Sequence, residues 1–187
     1  MVFNSLTFLC IFLPVVLALY YLLPTLRIRN ILLIAVSLLF YAYGEPVYVL
    51  LMIASIIINY IFGRLLGTEN KKKRQWILAI AVVINIGLLV VFKYLDMMVQ
   101  TVNQLSGSEI PLVGLALPIG ISFFTFQALS YVIDVYRREV EPQKNLWNVM
   151  LYISFFPQLI AGPIVKYHDI QEPVSYTHLR AHETDQY

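Results

Sequence analysis

Three side chains in the most apolar part of this sequence have the chemistry to do more than fill space: Gln127, Asp134 and Gln158. A polar group inside an apolar segment is costly, so it tends to face a bundle interior or a cavity. Gln127 precedes Asp134 by seven residues, two helical turns, so the two are expected on one face. Asp134 has Arg137 at the i+3 position, and an ion pair between them is the expected role. Asp134 also stands with Gln127 and Gln158 as a candidate for lining a cavity. For the two glutamines, a cavity wall and a structural hydrogen bond are equally open readings. His168 has the ring that a general base near neutral pH needs, but its place after Lys166-Tyr167 fits a surface or capping role better. No catalytic residue and no metal site is assigned.

These side chains sit in two unusual stretches. One is Leu117-Pro118-Ile119-Gly120-Ile121-Ser122-Phe123-Phe124-Thr125-Phe126-Gln127, the other Phe155-Phe156-Pro157-Gln158-Leu159-Ile160-Ala161-Gly162-Pro163-Ile164. Both are apolar enough for lipid, yet proline and glycine break each one. Proline removes a backbone donor and clashes with the preceding turn, so an uninterrupted helix is not expected in either. Irregular backbone at membrane depth is tolerated where protein buries it or where it lines a wet cavity. The two stretches therefore read as walls of an internal site.

Composition names the solvent. The chain has 187 residues, 59% hydrophobic and 13% charged, where a soluble domain carries about 25% charged residues. The expected fold is all-α: a polytopic transmembrane helix bundle with about six membrane segments, the last two broken by proline and glycine. The segments are residues 6–23, 31–43, 47–66, 76–92, 112–136 and 146–165. The second is short at 13 residues and must thin the bilayer or borrow flanking residues. Residues 67–75 read as a polar loop and 93–105 as an interfacial helix. The first segment lacks a basic leader and a small-x-small cleavage site, so it does not read as a signal peptide. Cys10, the single cysteine, reads as packing.

Basic residues set the orientation. The connections after segments one, three and five, with Arg64 at the end of segment three, hold ten lysines and arginines, against Lys93 alone after segments two and four. Basic loops stay cytoplasmic, so the N-terminus is expected outside a cell membrane crossed several times. The run Lys71-Lys72-Lys73-Arg74 reads as this topological signal, not as a nucleic-acid patch. Asn59 and Asn85, single amides inside apolar segments, read as interhelical hydrogen bonding.

The C-terminus reads as foreign. Val174-Ser175-Tyr176-Thr177-His178-Leu179-Arg180-Ala181-His182-Glu183-Thr184 matches, in frame, the translation of a common transposon sequencing adapter. The expected organisation is residues 1–173 as the truncated N-terminal part of one membrane domain, with 174–187 a non-native tail. Removing Arg180, Glu183 and Asp185 takes the totals from 13 basic and 11 acidic residues to 12 and 9. It also removes His178 and His182, and with them any apparent metal cluster around His168. Resequencing the locus is expected to show the frame diverging after Pro173. A genomic frame running unchanged through Tyr176-Thr177-His178 would return those histidines to consideration.

The two broken stretches, with Tyr131-Val132-Ile133-Asp134-Val135-Tyr136-Arg137 between them, resemble the membrane-bound O-acyltransferase family. Leu39-Phe40-Tyr41-Ala42-Tyr43-Gly44-Glu45-Pro46 and Phe92-Lys93-Tyr94 resemble its alginate O-acetyltransferase branch. The resemblance implies a full-length enzyme that transfers an acyl group, acetyl above all, to hydroxyls of an extracytoplasmic polysaccharide such as alginate. It implies an acyl donor, acetyl-CoA or a carrier-linked acyl group, arriving from the cytoplasmic side. The implied partners are the lipid bilayer, the polysaccharide and a periplasmic or cell-surface partner acyltransferase. The family's histidine regarded as catalytic lies downstream of the motifs matched here, so this stretch alone is expected to be inactive and to bind no cofactor. Alternatives are D-alanyl transfer to teichoic acid within the same family, a transporter, or a non-catalytic membrane subunit.

Overall fold

A computed structural model describes residues 8–107, 110–114, 116–161 and 167. Every regular element among them is a helix. In chain order these are α1 (Leu13–Leu22), α2 (Leu26–Gly44), α3 (Tyr48–Leu65), α4 (Lys71–Ser106), α5 (Ile121–Arg137), α6 (Leu146–Ser154) and α7 (Phe156–Ala161). A π-helical turn, Phe8–Phe12, runs directly into α1. It ends two residues before Pro14, whose ring cannot return a bond to the turn before it.

Three helices, α2, α3 and α4, are long and apolar enough to cross a membrane, with mean hydropathies of 1.5, 1.8 and 2.5. The all-α expectation holds, but only these three of the six anticipated segments reach that length as single helices. The short second segment borrows its flanks: α2 begins at Leu26 and covers 19 residues, about 28 Å at 1.5 Å per residue. Its first turn carries Arg29, whose Nε donates to the Leu23 carbonyl at 2.8 Å while the guanidinium lies 5.2 Å from the Tyr20 ring centroid. The charge is thus turned back towards the interface-forming tyrosine.

α4 corrects two expectations. Residues 71–75 are helical, not loop, and residues 93–105 continue the same helix instead of forming a separate interfacial one. No proline or glycine lies between Gly87 and Gly107, so nothing stops the helix until Gly107 adopts φ 65 at its C-cap. At 36 residues α4 measures about 54 Å, against roughly 30 Å of hydrocarbon, so one end projects beyond the apolar layer or the helix tilts strongly.

Beyond α4 the chain is irregular over residues 110–114 and 116–118. Its backbone groups need partners, and four side chains provide them. Asn103 bonds Ile110 twice, accepting from its N–H at 3.0 Å and donating to its carbonyl at 2.8 Å. The Asp96 carboxylate accepts from the N–H groups of Val113 and Gly114 at 3.0 and 3.1 Å. The hydroxyls of Tyr48 and Tyr41 donate to the carbonyls of Ala116 and Ile119 at 2.8 and 2.9 Å. Gly120, at φ 76, then opens α5.

α5 is the centre of the bundle. Ten of its 17 residues are buried, and it packs on α3, α4, α6 and α7. Its buried residues include Thr125, Gln127 and Asp134, as expected when polar groups must be kept from lipid. Both broken stretches are broken as anticipated. The first is irregular up to Pro118 and helical from Ile121. The second breaks at Phe155, between α6 and α7, because Pro157 has no N–H to return to the turn before it. The freed Phe156 N–H donates to Ser37 Oγ of α2 at 3.3 Å. The Gly162-Pro163 break, the Ser108-Glu109 loop, His168 and residues 174–187 lie outside the described residues.

Candidate functional site

The face of α5 that carries Gln127, Tyr131 and Asp134 forms a polar seam against the second broken stretch. All three are buried. Gln127 Nε2 donates to the Tyr152 carbonyl at 3.3 Å, and its Oε1 accepts from Gln158 Nε2 at 3.1 Å. The two glutamines anticipated from sequence are therefore bonded to each other across α5 and α7. One turn on, Tyr131 accepts from the Gln143 N–H at 3.2 Å. Asp134 Oδ2 accepts from the Tyr167 N–H at 3.2 Å. The rings of Tyr131 and Tyr152 each meet Tyr167 edge-on, at centroid distances of 5.1 and 4.8 Å. Residues 31 and 33 apart in the chain are thereby zipped together.

The expected common face for Gln127 and Asp134 is present. The expected Asp134–Arg137 pair is not how Arg137 is used. α5 ends at Arg137, the chain turns at Arg138, and the Arg137 guanidinium meets Glu139 Oε1 at 3.4 Å in an exposed pair. Such a pair contributes little, on the order of 0–1 kcal/mol. Asp134 instead faces inward.

Asn59 and Asn85 do what their types predict. Asn59 Nδ2 donates to Asn85 Oδ1 at 3.0 Å, and Asn85 Nδ2 returns a bond at 2.8 Å. Each amide also donates to the carbonyl four residues earlier, Ser55 and Ala81, at 2.9 and 2.8 Å. The pair cross-links α3 to α4 with every amide hydrogen used. In a membrane bundle such a contact is worth about 0.6 kcal/mol, up to roughly 1.7.

Two features were missed by reading the sequence alone. Arg74, counted as a loop charge, is buried: its guanidinium donates to the carbonyls of Val135, at 3.3 Å, and Tyr136, and stacks 5.3 Å over the Tyr136 ring. It caps the C-terminus of α5, where orphan carbonyls attract cations. Thr125 is fully buried with an unpartnered hydroxyl. A cavity of about 280 Å³ opens beside Arg74, and a smaller one of about 70 Å³ lies beside the asparagine pair. Gln127, Asp134 and Gln158 line neither.

The chain is 37% identical over 194 aligned positions to the probable alginate O-acetylase AlgI of Pseudomonas aeruginosa, covering all of this chain and 36% of that protein. It is 36% identical to the probable alginate O-acetylase AlgI of Azotobacter vinelandii, covering all of this chain and 38% of that protein. The chain is a homologue of the alginate O-acetylases. The peptidoglycan O-acetyltransferase of Helicobacter pylori is a more distant relative, 30% identical over 91% of this chain and 38% of its own length. No family profile matches the chain, and no solved structure matches it significantly. The chain thus spans little more than a third of the length of the curated relatives it matches. The anticipated resemblance to the alginate O-acetyltransferase branch is borne out, and Gln127, Asp134 and Gln158 fall within the homologous stretch.

Proposed function

We propose that the complete protein is an integral membrane O-acyltransferase that moves an acetyl group onto hydroxyls of an extracytoplasmic polysaccharide. The observation that carries this reading is the whole-chain similarity to alginate O-acetylases. A hydroxyl attacking an acyl carbonyl needs a base, an oxyanion stabiliser and exclusion of water. What fits the third requirement is the seam, in which Gln127, Tyr131 and Asp134 are buried with protein partners. The donor, acetyl-CoA or a carrier-linked acyl group, enters from the cytoplasmic face. The polymer and a partner acyltransferase meet the protein outside. Residues 1–173 contribute walls, and 174–187 are foreign to the natural protein.

Complementation tests the reading. In a strain lacking its own polysaccharide O-acyltransferase, the complete gene is expected to restore polymer-bound acetyl groups, while residues 1–173 alone restore none. Acetyl appearing only on peptidoglycan would move the acceptor to the class in which the H. pylori relative is named. No acetyl on any polymer from the complete gene, with the protein present in the membrane, would reject the assignment.

The orientation is part of the same proposal. Single cysteines at Lys72 and Gln104, both exposed, are placed in a Cys10→Ala background. In intact cells Gln104→Cys is expected to react with an impermeant thiol reagent and Lys72→Cys to stay protected. The reverse pattern would invert the topology.

A further inference from the structure

The geometry points to a phosphate-binding site in the cavity between the first turn of α4 and the last turn of α5. The cavity, about 280 Å³, is lined among others by Thr68, Glu69, Arg74, Arg138, Glu141 and Pro142. It lies at the end of the bundle that carries the basic loops, away from the glutamine seam. Nothing in the acyltransferase reading depends on it.

Four observations converge there. First, Arg74 lines the cavity and is only 8% exposed. Among the described residues the only ion pair is Arg137–Glu139, so this buried cation has no carboxylate. Buried charges are ordinarily paired. The two α5 carbonyls that Arg74 caps carry only partial charge, about half an electron for a whole helix end. Second, Arg138 holds φ 64, a left-handed conformation that glycine ordinarily supplies at a helix C-terminus. A residue with a Cβ stands at this turn although it is strained there, and it lines the cavity.

Third, α4 begins beside the cavity with Lys71-Lys72-Lys73-Arg74 and no acidic residue in its first turn. Of these four cations, at a helix end where anions are usually preferred, Arg74 alone lines the cavity. Topology alone explains basic residues near this membrane face, but not one of them being buried in a cavity wall. A bound anion resolves the conflict, because helix N-termini and arginine forks both recognise phosphate oxygens. Fourth, the two carboxylates on the cavity, Glu69 and Glu141, are both exposed. At the rim their repulsion is screened by solvent and salt, whereas Arg74 acts from within. Thr68 also lines the cavity.

The shared chemistry is a phosphate group, and it has two possible sources: a soluble phosphate compound or the headgroup of an anionic phospholipid. The complete protein, purified in a phosphate-free maltoside detergent, is titrated with inorganic phosphate at constant ionic strength, and its melting temperature is followed. A ligand that binds only the folded state raises that temperature with concentration. A parallel arm compares nanodiscs of phosphatidylcholine with nanodiscs containing phosphatidylglycerol. The decisive variant is Arg138→Gly. It relieves the backbone strain, so it should melt at or above wild type without ligand, and it should lose at least tenfold in phosphate affinity. Arg74→Gln should lose the response as well, and Lys144→Gln, outside the cavity, should keep it. Stabilisation by inorganic phosphate identifies the soluble source, and stabilisation by phosphatidylglycerol alone identifies the lipid. No response of wild type in either arm, or an Arg138→Gly protein that responds like wild type, would overturn the proposal.

Discussion

Replacing Gln127 with leucine in the complete gene is expected to reduce acyl transfer at least tenfold, by more than any loss of folded protein explains. Gln127 is the joint of the seam: it donates to the Tyr152 carbonyl and accepts from Gln158. Leucine leaves a buried carbonyl and an amide without this partner, which costs about 1–3 kcal/mol where the group is desolvated. Gln158 is only half-buried, so water replaces part of what it loses, and Gln158→Leu should destabilise by less. Stability alone therefore ranks the two variants. If the seam also walls the acyl-transfer cavity, turnover falls further, each factor of ten corresponding to about 1.4 kcal/mol of lost transition-state stabilisation. Detergent melting curves beside an acyl-transfer assay, for both single variants and the double variant, separate the effects. Because the side chains touch, their stability changes should be non-additive. Full activity in both single variants, or activity that follows the folded fraction alone, would remove these residues from the site.

The seam also shows what a sequence can disclose about a membrane bundle. Gln127 and Gln158 stood out because an amide in an apolar stretch needs a partner. Their pairing could not be read, because helical periodicity states which residues share a face but not which helix that face meets. Asn59 and Asn85 were legible as interhelical bonds for the same reason, and equally without their partner. Local spacing misled at Asp134. An i+3 arginine is a reasonable partner in the middle of a helix, but α5 ends at Arg137 and the left-handed Arg138 sends the chain elsewhere. Arg74 was hidden inside a charge run whose topological meaning was sufficient to explain it, and only burial separates it from Lys71, Lys72 and Lys73. α4 was divided because Lys93, Asp96 and Gln100 end the apolar run, although polarity does not stop a helix. The helix stops only where Gly107 turns left-handed at φ 65.

Gly63→Ala should destabilise the bundle even though alanine is the better helix former by about 1 kcal/mol. Gly63 is buried in α3 where that helix meets α5. A Cβ there would lie 2.5 Å from the Tyr131 hydroxyl oxygen, 2.6 Å from Cε1 and 2.8 Å from Cζ. Tyr131 has no room to withdraw: it is fully buried, its hydroxyl holds the Gln143 N–H, and its ring meets Tyr167. The helices must therefore separate, and small residues are what let membrane helices approach closely. Overpacking of this kind costs about 1–3 kcal/mol, which outweighs the propensity gain. Gly87→Ala provides the internal control. It lies in α4 with nothing within 4 Å of the new Cβ, so only propensity acts and the variant should melt at or above wild type. Adding Tyr131→Phe to Gly63→Ala removes the hydroxyl but leaves the ring carbons in conflict, so rescue should be partial at most. The measurement is a set of melting curves for the four proteins in one detergent. A Gly63→Ala variant that melts with Gly87→Ala would mean that α3 and α5 are not in this contact. The seam would then lose the support that fixes Tyr131, and through it the loop that leads from α5 to α6.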